Sequence, residues 1–218
     1  MDAKTKIDSA LTAAKHYESK LNDEILNIEG LTSHKVKHFL NNIVTDNVYY
    51  VEVGTNRGAT LCSACYGNNV TATGIDNFSQ ENIQPDRQDL SITYSNNTTK
   101  EDLLNNINKF NIDADIIENS FSDITQEDLR GKIDVFFYDG DHSVSEQIKV
   151  LKHFQHMFND KVIVIIDDWN WTEVKEGTIL GLKAINYKVK AMKTITTRGE
   201  DSNDFWNGLG IFYLEINS

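Results

Sequence analysis

The stretch Ile133–Trp169, IDVFFYDGDHSVSEQIKVLKHFQHMFNDKVIVIIDDW, leaves the chain few folds to choose from. Ile133 to Tyr138 is a short apolar run with one charge, and Val162 to Ile166 is five β-branched residues in a row. Both have the composition of strands buried on both faces of a parallel sheet. Between them Val144, Ile148, Leu151, Phe154 and Phe158 recur at helical spacing, with Glu146, Lys149, Lys152 and Gln155 on the other face, which predicts an amphipathic helix. Ser143 and Glu146 have the form of a capping box, so the helix is expected to start directly after Asp139-Gly140-Asp141-His142. The whole stretch is a βαβ unit.

Asp139 and Asp141 follow the first of these strands, and Asp167 and Asp168 follow the second, so both acidic pairs fall at carboxyl ends of parallel strands. Open α/β sheets bind ligands there. Four carboxylates converging on one edge repel one another unless a cation or protonation relieves them, and hard oxygen donors suit an ion of the magnesium type. An Asp-Gly turn or a capping aspartate accounts for one such pair. Two on neighbouring strands mark the sheet edge as the candidate active site.

At 218 residues the chain suits one α/β domain with a sizeable core. Its formal net charge of −12 and the absence of any lysine and arginine cluster exclude a broad nucleic-acid surface or an anionic membrane as the expected partner, and favour a small molecule. No apolar run approaches ~20 residues and the first residues lack the pattern of a signal peptide, so a cytoplasmic protein is expected. Cys62 and Cys65 are spaced C-x-x-C, yet they sit in the small-residue run ATLCSACYG with no further metal ligands nearby. Buried packing is the expectation for both.

Residues 1 to about 28 read as one accessory helix, with Ile7, Leu11, Ala14, Leu21, Ile25 and Ile28 as a sparse stripe closed by Gly30, and a second helix is expected from Ser33 to Ile43. His34 and His38, one turn apart on that helix, are given no role. Val48 to Val53 reads as the first strand of the sheet and runs into Glu52-Val-Gly54-Thr55-Asn56-Arg-Gly58, then a helix. Gly54 lets the backbone turn and Gly58 lets the helix approach the sheet, so the loop can seat a ligand against its amides. A second strand, Thr71 to Ile75, ends in Asp76, about where nucleoside-binding sheets hold a ribose diol. From Asn77 to Asn97 the chain is polar and holds its one proline, Pro85, as a lid or substrate-binding element would. Thr98 with Glu101 caps a helix to Phe110, and Ala114 to Ile117 is a third strand. In the following turn Phe121 and Ser122 are candidate contacts for an adenine ring. After the acidic pair, Trp169 and Trp171 can wall a ring-shaped substrate or belong to core and rim. Tyr187 to Thr197 and Leu209 to Ile216 are expected to close the chain as a hairpin.

Taken together, V-E-V-G-T-N-R-G, G-I-D, F-Y-D-G-D-H and I-I-D-D-W resemble the motifs of the class I S-adenosylmethionine-dependent methyltransferases, and among them the macrocin-type and other sugar or natural-product O-methyltransferases. The resemblance spans about 48–216. It implies a Rossmann-like three-layer α/β sandwich with a mostly parallel seven-stranded sheet whose last strand is antiparallel, preceded by N-terminal helices at 1–45. It also implies S-adenosylmethionine bound by Glu52, Gly54, Thr55, Asn56, Gly58, Asp76, Ser120, Phe121 and Asp139, and a divalent cation, Mg2+ above all, on Asp139, Asp167 and Asp168. Asp141 matches the proposed base, and His142 is a second candidate by adjacency. Homo-oligomers are common in the family, so one is an expectation here. Asn56 departs from the glycine found there in many methyltransferases.

Two other classes compete. Asp139-Gly-Asp141 is also a D-x-D, the metal motif of nucleotide-sugar glycosyltransferases, but that class has no need of the glycine turn or of the second acidic pair. A methyltransferase fold kept for non-catalytic binding is the third reading, and failure to bind the methyl donor would favour it.

Overall fold

A computed structural model describes residues 2–79 and 99–217. Seven strands form one sheet: β1 (Tyr49–Val53), β2 (Thr71–Asp76), β3 (Ala114–Glu118), β4 (Ile133–Tyr138), β5 (Phe158–Ile166), β6 (Tyr187–Ile195) and β7 (Leu209–Ile216). Their order is β3-β2-β1-β4-β5-β7-β6. Strands β1 to β5 pair in parallel, and β7 inserts antiparallel between β5 and β6. The expected sheet, with its antiparallel last strand, is the observed one.

Helices α1 (Ala3–Lys15), α2 (Asp23–Leu26), α3 (His34–Ile43), α4 (Ala59–Cys65), α5 (Thr99–Phe110), α6 (Val144–Phe154) and α7 (Thr172–Ala184) cover the sheet. Strand residues alternate between two apolar layers, as the two-residue period of a strand requires. Tyr50, Val135, Phe137, Ile163 and Ile165 join Ile7, Phe39, Leu61 and Leu103 from α1, α3, α4 and α5. Val51, Val53, Phe136, Val164 and Ile166 face Val150, Leu151 and Phe154 of α6 and Val174 and Leu182 of α7. Cys62 and Cys65 are buried free thiols on α4, and burial pushes the Cys62 thiol up to about 12.

Two expected helices end early. The first stops at Lys15, not near residue 28, because the amides of Tyr17 and Glu18 turn back onto the carbonyls of Ala14 and Ala13 with Tyr17 at φ 57°. This is a Schellman stop made without the usual glycine. Past it, the buried ammonium of Lys37 holds the chain by donating to the carbonyls of Leu26 and Ile28 at 2.8 and 2.7 Å, and its burial lowers the Lys37 pKa to about 8. The helix after Asp141 ends at Phe154, and Phe158 begins β5, where it packs on Phe136 and Tyr187. The inward positions of α6 are Gln147, Val150, Leu151 and Phe154, with Ile148 half-buried. The lid expected over 77–97 and the cap at Thr98 lie outside the described residues, save Asn77, Phe78 and Ser79.

Helices α6 and α7 touch through glycines. A Cβ on Gly177 would lie 2.6 Å from Cβ of Gln147 and 2.7 Å from the carbonyl oxygen of Val144. In an isolated helix Gly→Ala gains about 1 kcal/mol, whereas overpacking costs about 1–3 kcal/mol. Backbone contacts cannot swing aside, so Gly177→Ala is expected to destabilise, seen as a lower urea midpoint at unchanged m-value. A higher midpoint would show that the two helices part freely.

Candidate active site

The sheet order reverses between β1 and β4, and open α/β sheets bind ligands at the carboxyl edge beside such a reversal. Gly54, at φ 89°, stands there, and a Cβ on it would fall 1.8 Å from the carbonyl oxygen of Asp139. The Asp139 amide donates to the Val53 carbonyl at 2.9 Å, so the ends of the two strands are in backbone contact. Gly58, at φ 81°, opens α4, and a Cβ there would meet Leu103 at 2.4 Å. Between them Asn56 takes φ 46°, and its amide donates to Asp76 Oδ2 at 2.8 Å, while the Phe78 amide donates to Asp76 Oδ1 at 2.7 Å. Asp76 thus ties the glycine loop to the end of β2. A carboxylate has about four acceptor positions, so two remain.

Thr55 is buried, and its Oγ1 has no partner among the described residues. Glu52 is sealed beneath the loop and accepts hydrogen bonds from Tyr50 Oη at 2.5 Å and Thr60 Oγ1 at 2.6 Å. Burial outweighs both bonds and raises the Glu52 pKa to about 8.

At the ends of β4 and β5 the structure gathers Asp139, His142 and Asp168. One donor atom from each lies within 4.8 Å of the others. His142 Nε2 is 2.7 Å from Asp168 Oδ2, and the His142 ring stands edge-on to Trp171 with centroids 4.1 Å apart. Asp168 takes the left-handed conformation at φ 53°, and its Oδ1 accepts from Asn207 Nδ2 at 2.7 Å. Burial, followed by the nearby Asp167 and Asp168, holds Asp139 well above the usual carboxylate range, and burial with Asp168 does the same to Asp167.

This group differs from the set expected from sequence. Asp167 is not among the three residues whose donor atoms cluster and His142 is; the Oδ1 of Asp167 accepts the amide of Asp168 at 2.9 Å. Asp141 is exposed, and its Oδ1 accepts the Ser143 amide at 2.7 Å, the short-range use of an aspartate at a helix entry. The Phe121 ring packs edge-to-face on Tyr138 and His153 and beside Phe154, so it is part of the α6 layer. The hydroxyls of Ser120 and Ser122 bond each other at 2.9 Å. Trp169 is core, wedged against Gly210 and Phe212, and Trp171 is the half-exposed one beside the site. Asn207 went unread; its only sequence signal is the Asn-Gly dipeptide of a turn.

A family model described as a methyltransferase domain matches residues 51–169, more than half of the chain. The chain belongs to the class I S-adenosylmethionine-dependent methyltransferases. No curated protein matches it by sequence. Among solved structures it is similar to a precorrin-6y C5,15-methyltransferase from Geobacter metallireducens, at 11% identity and TM-score 0.60 over 91% of this chain and 98% of that one. It is also similar to a protein from Klebsiella pneumoniae assigned as an O-methyltransferase, at 12% identity and TM-score 0.58 over 100% and 91%. Against TrmN from Thermus thermophilus the identity is 8% and the TM-score 0.57, over 89% of this chain and only 52% of TrmN. Such identities show the shared fold. Among the described residues no helix of the methyltransferase is long and apolar enough to cross a membrane.

The raised pKa of Glu52 has a sign that can be tested. Unfolded, the group titrates near its ordinary value of 4.5, and folded near 8. Its contribution to the stability of the methyltransferase is therefore full below 4.5 and lost as pH rises through 8. Glu52→Gln still accepts from Thr60 and cannot ionise. Urea titrations between pH 5 and 8 should show a shallower loss in the variant, by up to about 1.4 kcal/mol per pH unit for the missing proton. Parallel slopes would mean that Glu52 is ionised in the fold.

Proposed function

We propose that this methyltransferase moves the methyl group of S-adenosylmethionine to a hydroxyl oxygen of a small molecule, a sugar or a phenol, with the help of a divalent cation. The observation that carries the reading is the Asp139, His142 and Asp168 group, set at the strand ends directly beside the glycine loop. Two carboxylates and an imidazole fit a divalent cation; the carboxylates suit Mg2+, and the imidazole adds affinity for Mn2+. The raised pKa of Asp139 supports the same reading, because crowded buried acids favour a positive neighbour. Bound there, such an ion would make a hydroxyl ligand more acidic.

The chain's own residues supply the rest. Gly54, Thr55, Asn56 and Gly58 would seat the cofactor, with Asp76 accepting from the ribose hydroxyls through its remaining lone pairs. Methyl transfer from a sulfonium needs alignment more than activation, and the rigid strand ends serve that need. A net charge of −12 supports a small acceptor over RNA, whose phosphates it would repel.

A second form of the chemistry is favoured by the 2.7 Å contact between His142 and Asp168. A carboxylate only accepts, so Nε2 is the protonated nitrogen and Nδ1 is left to take the proton of an acceptor hydroxyl without a cation. In both forms we take His142 as the working neighbour of Asp139, because its Nε2 lies 2.7 Å from Asp168, whereas Asp141 is exposed and caps the entry to α6.

Calorimetry should show saturable binding of S-adenosylhomocysteine, and Asp76→Asn should weaken it at least ~10-fold, about 1.4 kcal/mol, while the circular dichroism of the fold is kept. No heat from the wild type would remove the cofactor assignment. Gly54→Val is a poor probe, because its side chain would separate the ends of β1 and β4. With sugar and phenol acceptors, His142→Ala should lose ~10²-fold or more in turnover and Asp141→Asn should stay near the wild type. Stripping with a chelator separates the two forms: lost turnover, restored by Mn2+ or Mg2+, supports the cation, and full turnover supports the dyad.

A further inference from the structure

The strained conformation of Asp168 has a specific support. A non-glycine residue at φ 53° persists only where its surroundings fix it. Asn207, from the connection between β6 and β7, is 3% exposed, donates from Nδ2 to Asp168 Oδ1 at 2.7 Å and accepts the Glu200 amide on Oδ1 at 2.7 Å. With an acceptor at one end of the amide and a donor at the other, its orientation is unambiguous. The connection is itself fastened to the end of β5. Amides of Asn170 and Trp169 donate to the carbonyls of Asn207 and Gly208 at 2.8 and 3.2 Å, and the Asn170 side chain brackets Thr197, accepting its amide at 3.0 Å. Asn207 therefore arrives from a fixed frame, engages one oxygen of Asp168, and leaves the other facing His142.

We propose that Asn207 is a positioning residue for the reaction: by holding Oδ1 of Asp168 it sets Oδ2 against His142 and so presets the Asp139, His142 and Asp168 group. The inference rests on the role given to Asp168 above, in either form of the chemistry. Partners that orient a metal ligand typically change metal affinity 10–100-fold when removed.

Two measurements on the full chain test it, both without methyl donor. In metal-free protein at pH 8, nitrogen-15 NMR of the His142 ring should show the proton held on Nε2 in the wild type, and averaged ring nitrogens in Asn207→Ala. Calorimetry with Mn2+ alone should show affinity lowered 10–100-fold in the same variant. Thr197→Val loosens the same connection without touching Asp168, and should keep both the His142 signal and Mn2+ affinity within about 2-fold of the wild type. If Asn207→Ala does not fold, Asn207→Asp removes the donor at equal size, and the same losses are expected. Wild-type NMR and affinity in the Asn207 variants overturn the proposal, and so does an equal loss in Thr197→Val, which would make loop order the cause. A His142 signal that depends on Asn207 in a protein that binds no Mn2+ sinks the cation form alone and leaves the positioning of Asp168 standing.

Discussion

The contact on which the site depends is the one between Gly54 and the backbone of Asp139. A side-chain carbon at residue 54 would lie 1.8 Å from the Asp139 carbonyl oxygen, a distance no packing adjustment absorbs. Its absence lets β1 and β4 stay paired to their last residues, Val53 beside Tyr138, with the Asp139 amide on the Val53 carbonyl. The glycine loop and the acidic turn therefore leave the sheet from the same point. Had the strands parted earlier, Asp139 would stand in solvent as an ordinary turn residue. Held against β1, it is half-buried beside Asp167 and Asp168, and its pKa is raised by desolvation and by those two neighbours.

The same crowding gives the edge its electrostatic character. Glu52, Asp139 and Asp167 are all shifted upward chiefly by burial. For Glu52, with its pKa raised to about 8, the shift costs the fold stability at neutral pH, because the folded chain holds the proton there and the unfolded chain does not. What the arrangement gains is a preference for positive charge, and a sulfonium cofactor carries one. Stability spent at a functional edge is repaid by the two apolar layers, where Phe136, Phe137, Phe154 and Phe212 are fully buried.

The sheet was legible because parallel strands buried on both faces leave a continuous β-branched run, and Val162–Ile166 is unambiguous in that respect. Boundaries were less so. Phe158 fits the helical spacing of Val144, Leu151 and Phe154, yet the helix stops before it; a phenylalanine satisfies either element, and pairing with β4 decides. Tyr17 ends α1 in a conformation that sequence associates with glycine. The acids stand at the strand ends as the sequence predicts, but spacing does not say which carboxylate a neighbouring amide will bond. Ser143 claims Asp141, and Asp168's own amide claims Asp167. Phe121, expected to meet a ligand ring, is half-buried and packs on Tyr138 and beside Phe154. Asn207 is 39 residues from Asp168, and a contact of that separation leaves no periodic trace in one sequence.

Asp76 ties the shape of the glycine loop to the end of β2. Its two oxygens accept the amides of Asn56 and Phe78, so one carboxylate both closes the end of β2 and bends the glycine loop. Asn56 stands at φ 46°, and the bond from its amide to Asp76 helps to hold that conformation. A residue with a side chain at this position is tolerated because the second strand supplies an acceptor for its amide. The glycine loop and the end of β2 are therefore one hydrogen-bonded unit, and substitutions at Asn56 and Asp76 must interact rather than add.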